Sequence, residues 1–432
     1  IAPSAIRSYR ISVLTRRQFL KLASVLPVSH WPSLGRARTS TTVAVVGGGF
    51  GGATCAKYLR KLDPSLRVVL ITPHSRFVTC PFSNAAIIGL RPIGSLTQNY
   101  ASLTRKHGVT VIHAEAKELD PIQNRVLLSN GTVVAYEKLV LSPGIDINTQ
   151  AIRGYTRGAT RVFPHAWIAG QETEALRTRL HAMKDGGLVV ISVPPTPYRC
   201  PPGPYERASL FAYYLKLHKP KSKVLILDAN NTFTKDDLFL AAWKELYPEM
   251  VEWVPLSEGG EVIEVDAAKG VVRTHFDEYK PALGNIIPPQ NASQIARVAG
   301  LDAGTGWCSV NPATFESLVH KSVYVIGDAA LANPMPKSAF SANSQAKVCA
   351  AAIVAALRGR SQNDSLLLNT CYSLVTPDYG ISIPAAYRGN AGQLRVVPQS
   401  AITSPADAPA SYRALEATYA KAWYSNIVAD TF

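Results

Sequence analysis

Cys80, Cys200 and Cys371 are the residues of this 432-residue chain whose settings point to chemistry. Cys80 sits in Phe77-Val78-Thr79-Cys80-Pro81-Phe82-Ser83-Asn84. Cys200 stands among prolines, within the run Pro194 to Glu206, and Cys371 opens Cys371-Tyr372-Ser373. The thiolate is the reactive form of cysteine. It can open a disulfide, close one, or carry a covalent group. Six cysteines allow many pairings, and sequence alone does not choose among them. Cys55 and Cys349 fall in predicted helices and read as core thiols, with Cys308 also left over.

The elements that must position these residues begin with a short β-branched strand, Thr42 to Val46. It runs into Gly47-Gly48-Gly49-Phe50-Gly51-Gly52 and a predicted helix from Ala53 to Leu62. Gly47, Gly49 and Gly52 fit G-x-G-x-x-G. The first glycine allows the tight turn, the second lets backbone approach a pyrophosphate, and the third lets helix and strand pack closely. A helix N-terminus there offers N–H groups and a positive dipole end to phosphate. The second strand, Arg67 to Ile71, is followed by Thr72 where an acid usually meets the ribose hydroxyls; a hydroxyl replaces the charged contact. A strand at Val133 to Leu141 enters Ser142-Pro143-Gly144. A later one, Val323 to Ile326, ends in Gly327-Asp328-Ala329, the usual second half of an FAD site. Lys337 and Ser338 then lead into a helix from Ala339 to Leu357, whose N-terminus would favour an anionic reduced flavin.

Between these halves, Gly187 to Val193 reads as a buried strand and Ala208 to Leu217 as a helix, a second doubly wound unit. The turn joining them holds the prolines around Cys200. Proline has no N–H to offer a phosphate and stiffens the backbone, so this turn lacks a nicotinamide dinucleotide cradle. The organisation expected is α/β: residues 39–150 and 285–358 as a split FAD-binding domain, and 151–284 as a second Rossmann-type domain without the NAD loop. Residues 359–432 form a small C-terminal domain that covers the flavin and meets a partner, with a last helix from Tyr412 to Ile427 that carries Trp423.

The formal charge is +15, with 45 basic and 30 acidic side chains. Seven of the basic ones lie in residues 1–38, which hold no acid, so the remainder carries 38 against 30, a net +8. No Arg/Lys cluster interleaved with aromatics appears, and nucleic-acid binding is not expected. Thr15-Arg16-Arg17-Gln18-Phe19-Leu20-Lys21 matches the twin-arginine pattern, followed by a weakly apolar run and Gly35-Arg36-Ala37. Residues 1–38 are thus expected to be an export signal to a periplasm that tolerates disulfides. The apolar run after the arginines is too short for a membrane span, and no other segment is expected to be long enough. No metal-ligand spacing is evident, and no Cys-x-x-Cys-His attaches haem to this chain.

The glycine loop, Thr79-Cys80 with Ser83-Asn84, the proline-rich Cys200 segment, Gly327-Asp328 with Pro334 to Ser344, and Cys371-Tyr372-Ser373 together resemble the flavoprotein subunit of flavocytochrome c sulfide dehydrogenase. Sulfide:quinone oxidoreductases are more distant cousins. The resemblance covers nearly all of the chain past residue 38. It implies a glutathione-reductase-like fold, a haem c partner subunit in a heterodimer, and oxidation of sulfide to sulfur. It also implies FAD bound covalently, by a thioether from Cys80 to the 8α-methyl group. A Cys200–Cys371 redox disulfide beside the flavin is implied too, with Glu206 as acid/base and Trp423 between flavin and haem. The cofactor-binding set expected is Cys80, Gly47, Gly49, Gly52, Thr72, Ser142, Gly144, Gly327, Asp328, Lys337, Ser338 and Trp423. The competing readings are a buried free thiol for Cys80, a helix-capping carboxylate for Glu206 and a core tryptophan for Trp423. At the level of function they are a sulfide:quinone oxidoreductase and a non-enzymatic flavin-binding redox scaffold.

Overall fold

The computed structural model describes residues 41–390 and 392–432. The twin-arginine segment and the export signal at 1–38 lie outside the described residues. Strand β1 (Thr42–Val46) leads into helix α1 (Phe50–Leu62), then β2 (Arg67–Thr72), β3 (Thr110–His113) and β4 (Lys138–Leu141). Next come β5 (Leu188–Val193), α2 (Gly203–His218), β6 (Lys223–Asp228), α3 (Asp236–Leu246), β7 (Val251–Val254) and β8 (Leu283–Ile286). The chain returns through β9 (Val323–Val325) and α4 (Ala339–Leu357). It closes with the long hairpin β10 (Asp364–Thr376) and β11 (Tyr379–Asn390), a short β12 (Leu394–Val396), and α5 (Ala410–Thr431).

Two parallel sheets carry the architecture. The first has the order β9-β4-β1-β2-β3 and the second β7-β6-β5-β8. Their strands are near-continuous Val/Ile/Leu runs, as sheets covered on both faces require. Val43 to Val45, Leu139 to Leu141 and Val189 to Ile191 are fully buried. The fold class is therefore the α/β, doubly wound arrangement read from the sequence. The expected strand at Val133 to Leu141 is two elements. Val133–Ala135 pairs antiparallel in a separate small sheet, and only Lys138–Leu141 joins β1 and β9. Helix α2 begins at Gly203, five residues before the expected start, because Pro204 is tolerated in a first helical turn.

α1 packs on α4, with Cys55 and Cys349 fully buried, as core thiols should be. Among the described residues α4 is the one helix long and apolar enough to cross a membrane, contrary to the expectation that no such segment exists. More than half of it is buried inside the fold. α5 docks back onto α1 and α4 through a polar cluster. Thr431 Oγ1 lies 3.1 Å from Thr54 Oγ1, Asp430 accepts from Tyr58 Oη and Asn343 Nδ2, and Lys347 Nζ is 2.8 Å from Asp430. Beside it Phe432 packs on Phe50 and Phe77, each at 5.7 Å between ring centroids.

Candidate active site

The glycine turn leaves β1 with Gly47 at φ +105°. A Cβ there would meet Ser142 O at 2.1 Å, and one at Gly52 would meet Gly47 O at 1.9 Å. Gly47 and Gly49 line a cavity of about 400 Å³, together with Thr72, Ser142, Gly144, Gly327, Asp328 and Ser338. Gly52 stands behind the loop, where it lets α1 approach β1. Thr72 Oγ1 is 3.5 Å from Tyr100 Oη, which donates to Gly48 O, so this hydroxyl lies beside the loop. Ser338 caps α4, its Oγ accepting from Ser341 N at 3.0 Å and reaching Asn369 Oδ1 at 2.6 Å. Asp328 Oδ2 lies 3.8 Å from Arg199 Nη1; burial pushes this carboxyl up, while Arg199 and Lys337 oppose the shift. Lys337 departs from the expected set. It does not line the cavity; its Nζ donates to Asp328 O and Ala330 O, each at 2.8 Å, and lies over the Trp307 ring. It braces the Gly-Asp turn from behind, and burial pulls its ammonium down to about 8.

Cys80, Cys200 and Cys371 all reach the same cavity, and all are free thiols in this structure. Cys80 Sγ lies 3.8 Å from Trp167 O. Cys200 adopts φ +57°, and its N–H donates to Lys337 O at 2.8 Å. Cys371 is carried on β10, and Asn369 Nδ2 reaches its Sγ at 3.3 Å. Burial raises both Cys200 and Cys371. The neighbouring Cys371 and Glu206 push Cys200 further, whereas Asn369 and Lys235 draw Cys371 back.

Glu206 sits in the first turn of α2 but does not cap it. Its Oε2 accepts from Asn84 Nδ2 at 2.8 Å and its Oε1 from Leu374 N at 2.9 Å, three residues past Cys371. Burial raises this carboxyl, and those two hydrogen bonds oppose the shift. Arg207, 1% exposed, completes the network. It donates to Asn84 Oδ1, His165 O, Asn285 Oδ1 and Ala166 O. Trp423 lines the cavity between Phe340 and Tyr372, and its indole N–H has no partner among the described residues; nor does that of Trp167, also on the wall. Sequence reading missed the roles of Asn84, Arg199, Arg207, Lys235 and Asn369. Most of their partners lie far along the chain, so that even Asn84 and Arg199, which stand in quoted motifs, and Asn369, two residues before Cys371, show no role locally.

At the tip of the second sheet, Asp228 ends β6, where a ribose-binding acid would stand. Its Oδ2 accepts from Tyr205 Oη at 2.6 Å and Trp253 Nε1 at 2.9 Å, and Phe233 stacks on Tyr205 at 3.7 Å. Aromatic side chains fill this turn, so the carboxylate is engaged inside the fold.

The first cavity fits a flavin dinucleotide. The Gly47 turn leaves no room for a Cβ, the wall offers two unpartnered indole N–H groups, and the volume falls in the range of cofactor clefts. Residues 173–288 match the family model described as sulfide dehydrogenase (flavocytochrome c) flavoprotein chain, central. Residues 363–432 match flavocytochrome c sulphide dehydrogenase, flavin-binding, and 41–178 match pyridine nucleotide-disulphide oxidoreductase. The sulfide dehydrogenase flavoprotein chain of Chlorobaculum thiosulfatiphilum is 74% identical over 43 residues, 10% of this chain and 90% of that sequence. Mitochondrial sulfide:quinone oxidoreductase of Mus musculus is 23% identical over 301 residues; the match spans 68% of this chain and 66% of the relative. The solved structure of sulfide:quinone oxidoreductase from Aquifex aeolicus superposes with a TM-score of 0.73 at 19% identity, over 91% of this chain and 92% of that one. This last likeness speaks to the fold, which is glutathione-reductase-like. The site and these matches together place the chain in the flavoprotein-chain family of the flavocytochrome c sulfide dehydrogenases, among the pyridine nucleotide-disulphide oxidoreductases.

Proposed function

We propose that this chain is a sulfide dehydrogenase that uses covalently held FAD and a Cys200–Cys371 redox disulfide, and passes electrons to a c-type cytochrome subunit. The observation that supports it is the convergence of Cys80, Cys200 and Cys371 on the cavity that also holds the Gly47 turn and Asp328. Bound there, the flavin supplies an acceptor that takes electrons in pairs and releases them singly. Hydrosulfide attacks Cys200 Sγ; a new S–S bond forms as the Cys200–Cys371 bond breaks, leaving a persulfide on Cys200 and a thiolate on Cys371. Asn369 Nδ2, 3.3 Å from Cys371 Sγ, stabilises that thiolate. Glu206, held above the ordinary carboxylate range by burial, takes the proton from hydrogen sulfide. Cys80 tethers the flavin, and Trp423 lies on the route to the partner haem. The twin-arginine segment directs the protein to the periplasm.

Denaturing precipitation tests the tether: yellow colour on the Cys80 peptide supports it, and flavin released wholly to the supernatant refutes it. C200S should abolish sulfide turnover; full turnover would remove the disulfide step. The sequence match to mitochondrial sulfide:quinone oxidoreductase over 68% of the chain favours a second reading, electron delivery to a quinone. Reduction of a short-chain quinone but not of cytochrome c would select it. A purified protein whose flavin is not bleached by sulfide would leave only a redox scaffold.

A further inference from the structure

Lys235 does not line the cavity, and the mechanism above makes no use of it. Three features of its position work against stability. It is 6% exposed, it adopts φ +66°, and it puts a cation at the N-cap of α3, where the helix dipole is already positive. A residue that breaks several local rules at once marks a functional constraint. Its Nζ lies 5.7 Å from the Phe239 ring centroid, and its compensating hydrogen bonds all lie on the cysteine hairpin. Lys235 Nζ donates to Ser373 Oγ at 2.8 Å, to Cys371 O at 3.2 Å and to Ile381 O at 3.4 Å, and so joins β10 to β11 at the residue that carries the sulfur.

Asn369 faces the same sulfur from a fixed direction. Its Oδ1 is held by Ser338 Oγ at 2.6 Å and Ser341 Oγ at 3.1 Å, at the start of α4, so its Nδ2 stays aimed at Cys371 Sγ. No hydrogen-bond donor reaches Cys200 Sγ among the described residues. The cations Arg199 and Arg207 face it, but Arg199 is shared with Asp328 and Cys80, and Arg207 donates its N–H groups to Asn84, His165, Asn285 and Ala166. The two sulfurs thus sit in unequal fields.

On the basis of the disulfide step proposed above, we propose that Lys235 is a positioning residue: it fixes the Cys371 strand and, with Asn369, makes Cys371 the sulfur that holds the negative charge when the Cys200–Cys371 bond opens. In that opening the electron pair of the broken bond stays on Cys371, and the sulfide sulfur bonds to Cys200. The titratable groups that face Lys235 are Cys371 from β10, Glu206 from α2, Cys200 from the proline-rich turn and Glu416 from α5. Burial lowers the Lys235 ammonium to about 8, so the charge is present at neutral pH.

The test is pulsed iodoacetamide alkylation of the reduced, flavin-loaded protein across a pH series, with Cys200 and Cys371 peptides quantified by mass. Wild type should alkylate Cys371 faster than Cys200. K235M should slow Cys371 by on the order of tenfold near neutral pH, equivalent to about one unit of thiol pKa, and slow Cys200 by clearly less; K235R should restore most of the rate. Unchanged Cys371 labelling in K235M with wild-type circular dichroism and flavin content overturns the proposal, as does faster labelling of Cys200 in wild type. If K235M does not fold, S373A removes the 2.8 Å acceptor and should slow Cys371 several-fold; an unchanged rate overturns the proposal equally. A peptide map before reduction separates the two layers. Absence of a Cys200–Cys371 bridge overturns the disulfide step and Lys235's part in it, while the labelling order still reports the charge at Cys371.

Discussion

Replacing Glu206 by Gln strikes the polar network beside the cysteines at a point where geometry leaves no escape. The site needs two acceptors, one for Asn84 Nδ2 and one for Leu374 N. A glutamine amide brings one oxygen, so an N–H meets an N–H whichever way it lies. Asn84 cannot turn over to help, because its Oδ1 accepts from Arg207 Nε at 2.9 Å, and Arg207 is pinned by three further acceptors. One buried donor left unpaired costs about 1–3 kcal/mol. Against this, the variant no longer carries the burial cost of an ionised carboxyl. Glu206 binds its proton more tightly in the folded than in the unfolded chain, so wild-type stability falls as pH rises from the ordinary carboxylate range through the raised folded value. E206Q has no such fall. Urea unfolding of the flavin-loaded protein should therefore show a deficit of about 1–3 kcal/mol at acid pH that narrows as pH rises. E206Q/N84D restores an acceptor opposite the new amide and should recover part of the loss. Equal midpoints for E206Q and wild type at acid pH, or a deficit that widens with pH, would refute the reasoning.

Gly47→Ala should leave the second sheet folded but strip the flavin, read from the flavin-to-protein absorbance ratio, because its Cβ would lie 2.1 Å from Ser142 O. Arg207→Met leaves Asn84 Oδ1, Asn285 Oδ1 and Ala166 O without a donor, while His165 O keeps Asn285 Nδ2, and should cost about 3–5 kcal/mol in urea unfolding; a wild-type midpoint would contradict the network. Tyr205→Phe removes the 2.6 Å bond to Asp228 while Trp253 keeps its own, and should cost about 1 kcal/mol by thermal melting.

The dinucleotide half of the site was legible because its signals are local. The span of β1, the G-x-G-x-x-G turn, the Gly-Asp turn and the span of α4 each follow from a few adjacent residues. The Val133–Leu141 run reads as one strand because only Glu137-Lys138 interrupts its apolar residues, but Tyr136 N bonds Asn124 O and turns the chain between sheets. The long hairpin was not read, although Thr376-Pro377-Asp378 between two runs rich in Leu, Ile and Tyr is a turn signal. Lys337 was placed on the cofactor from its position in the motif, and the Asp328 and Ala330 carbonyls claim it instead. Lys235 and Asn369 were illegible for a different reason. Lys235 meets Cys371 across 136 residues, and the direction of Asn369 is set by hydroxyls 28 and 31 residues away.

The docking of α5 on α1 has a consequence for how the polypeptide comes off the ribosome. Thr54 and Thr431 are 377 residues apart, and Phe432 shields Phe50 on the glycine turn. Closing a loop of that size instead of one a tenth as long adds about 2 kcal/mol of entropy, so this contact joins late. The phosphate-binding turn is translated long before α5, which supplies one wall beside it. Coenzyme capture is thus timed to the translation of α5, and a nascent chain arrested before residue 410 would present an open turn that binds its dinucleotide weakly.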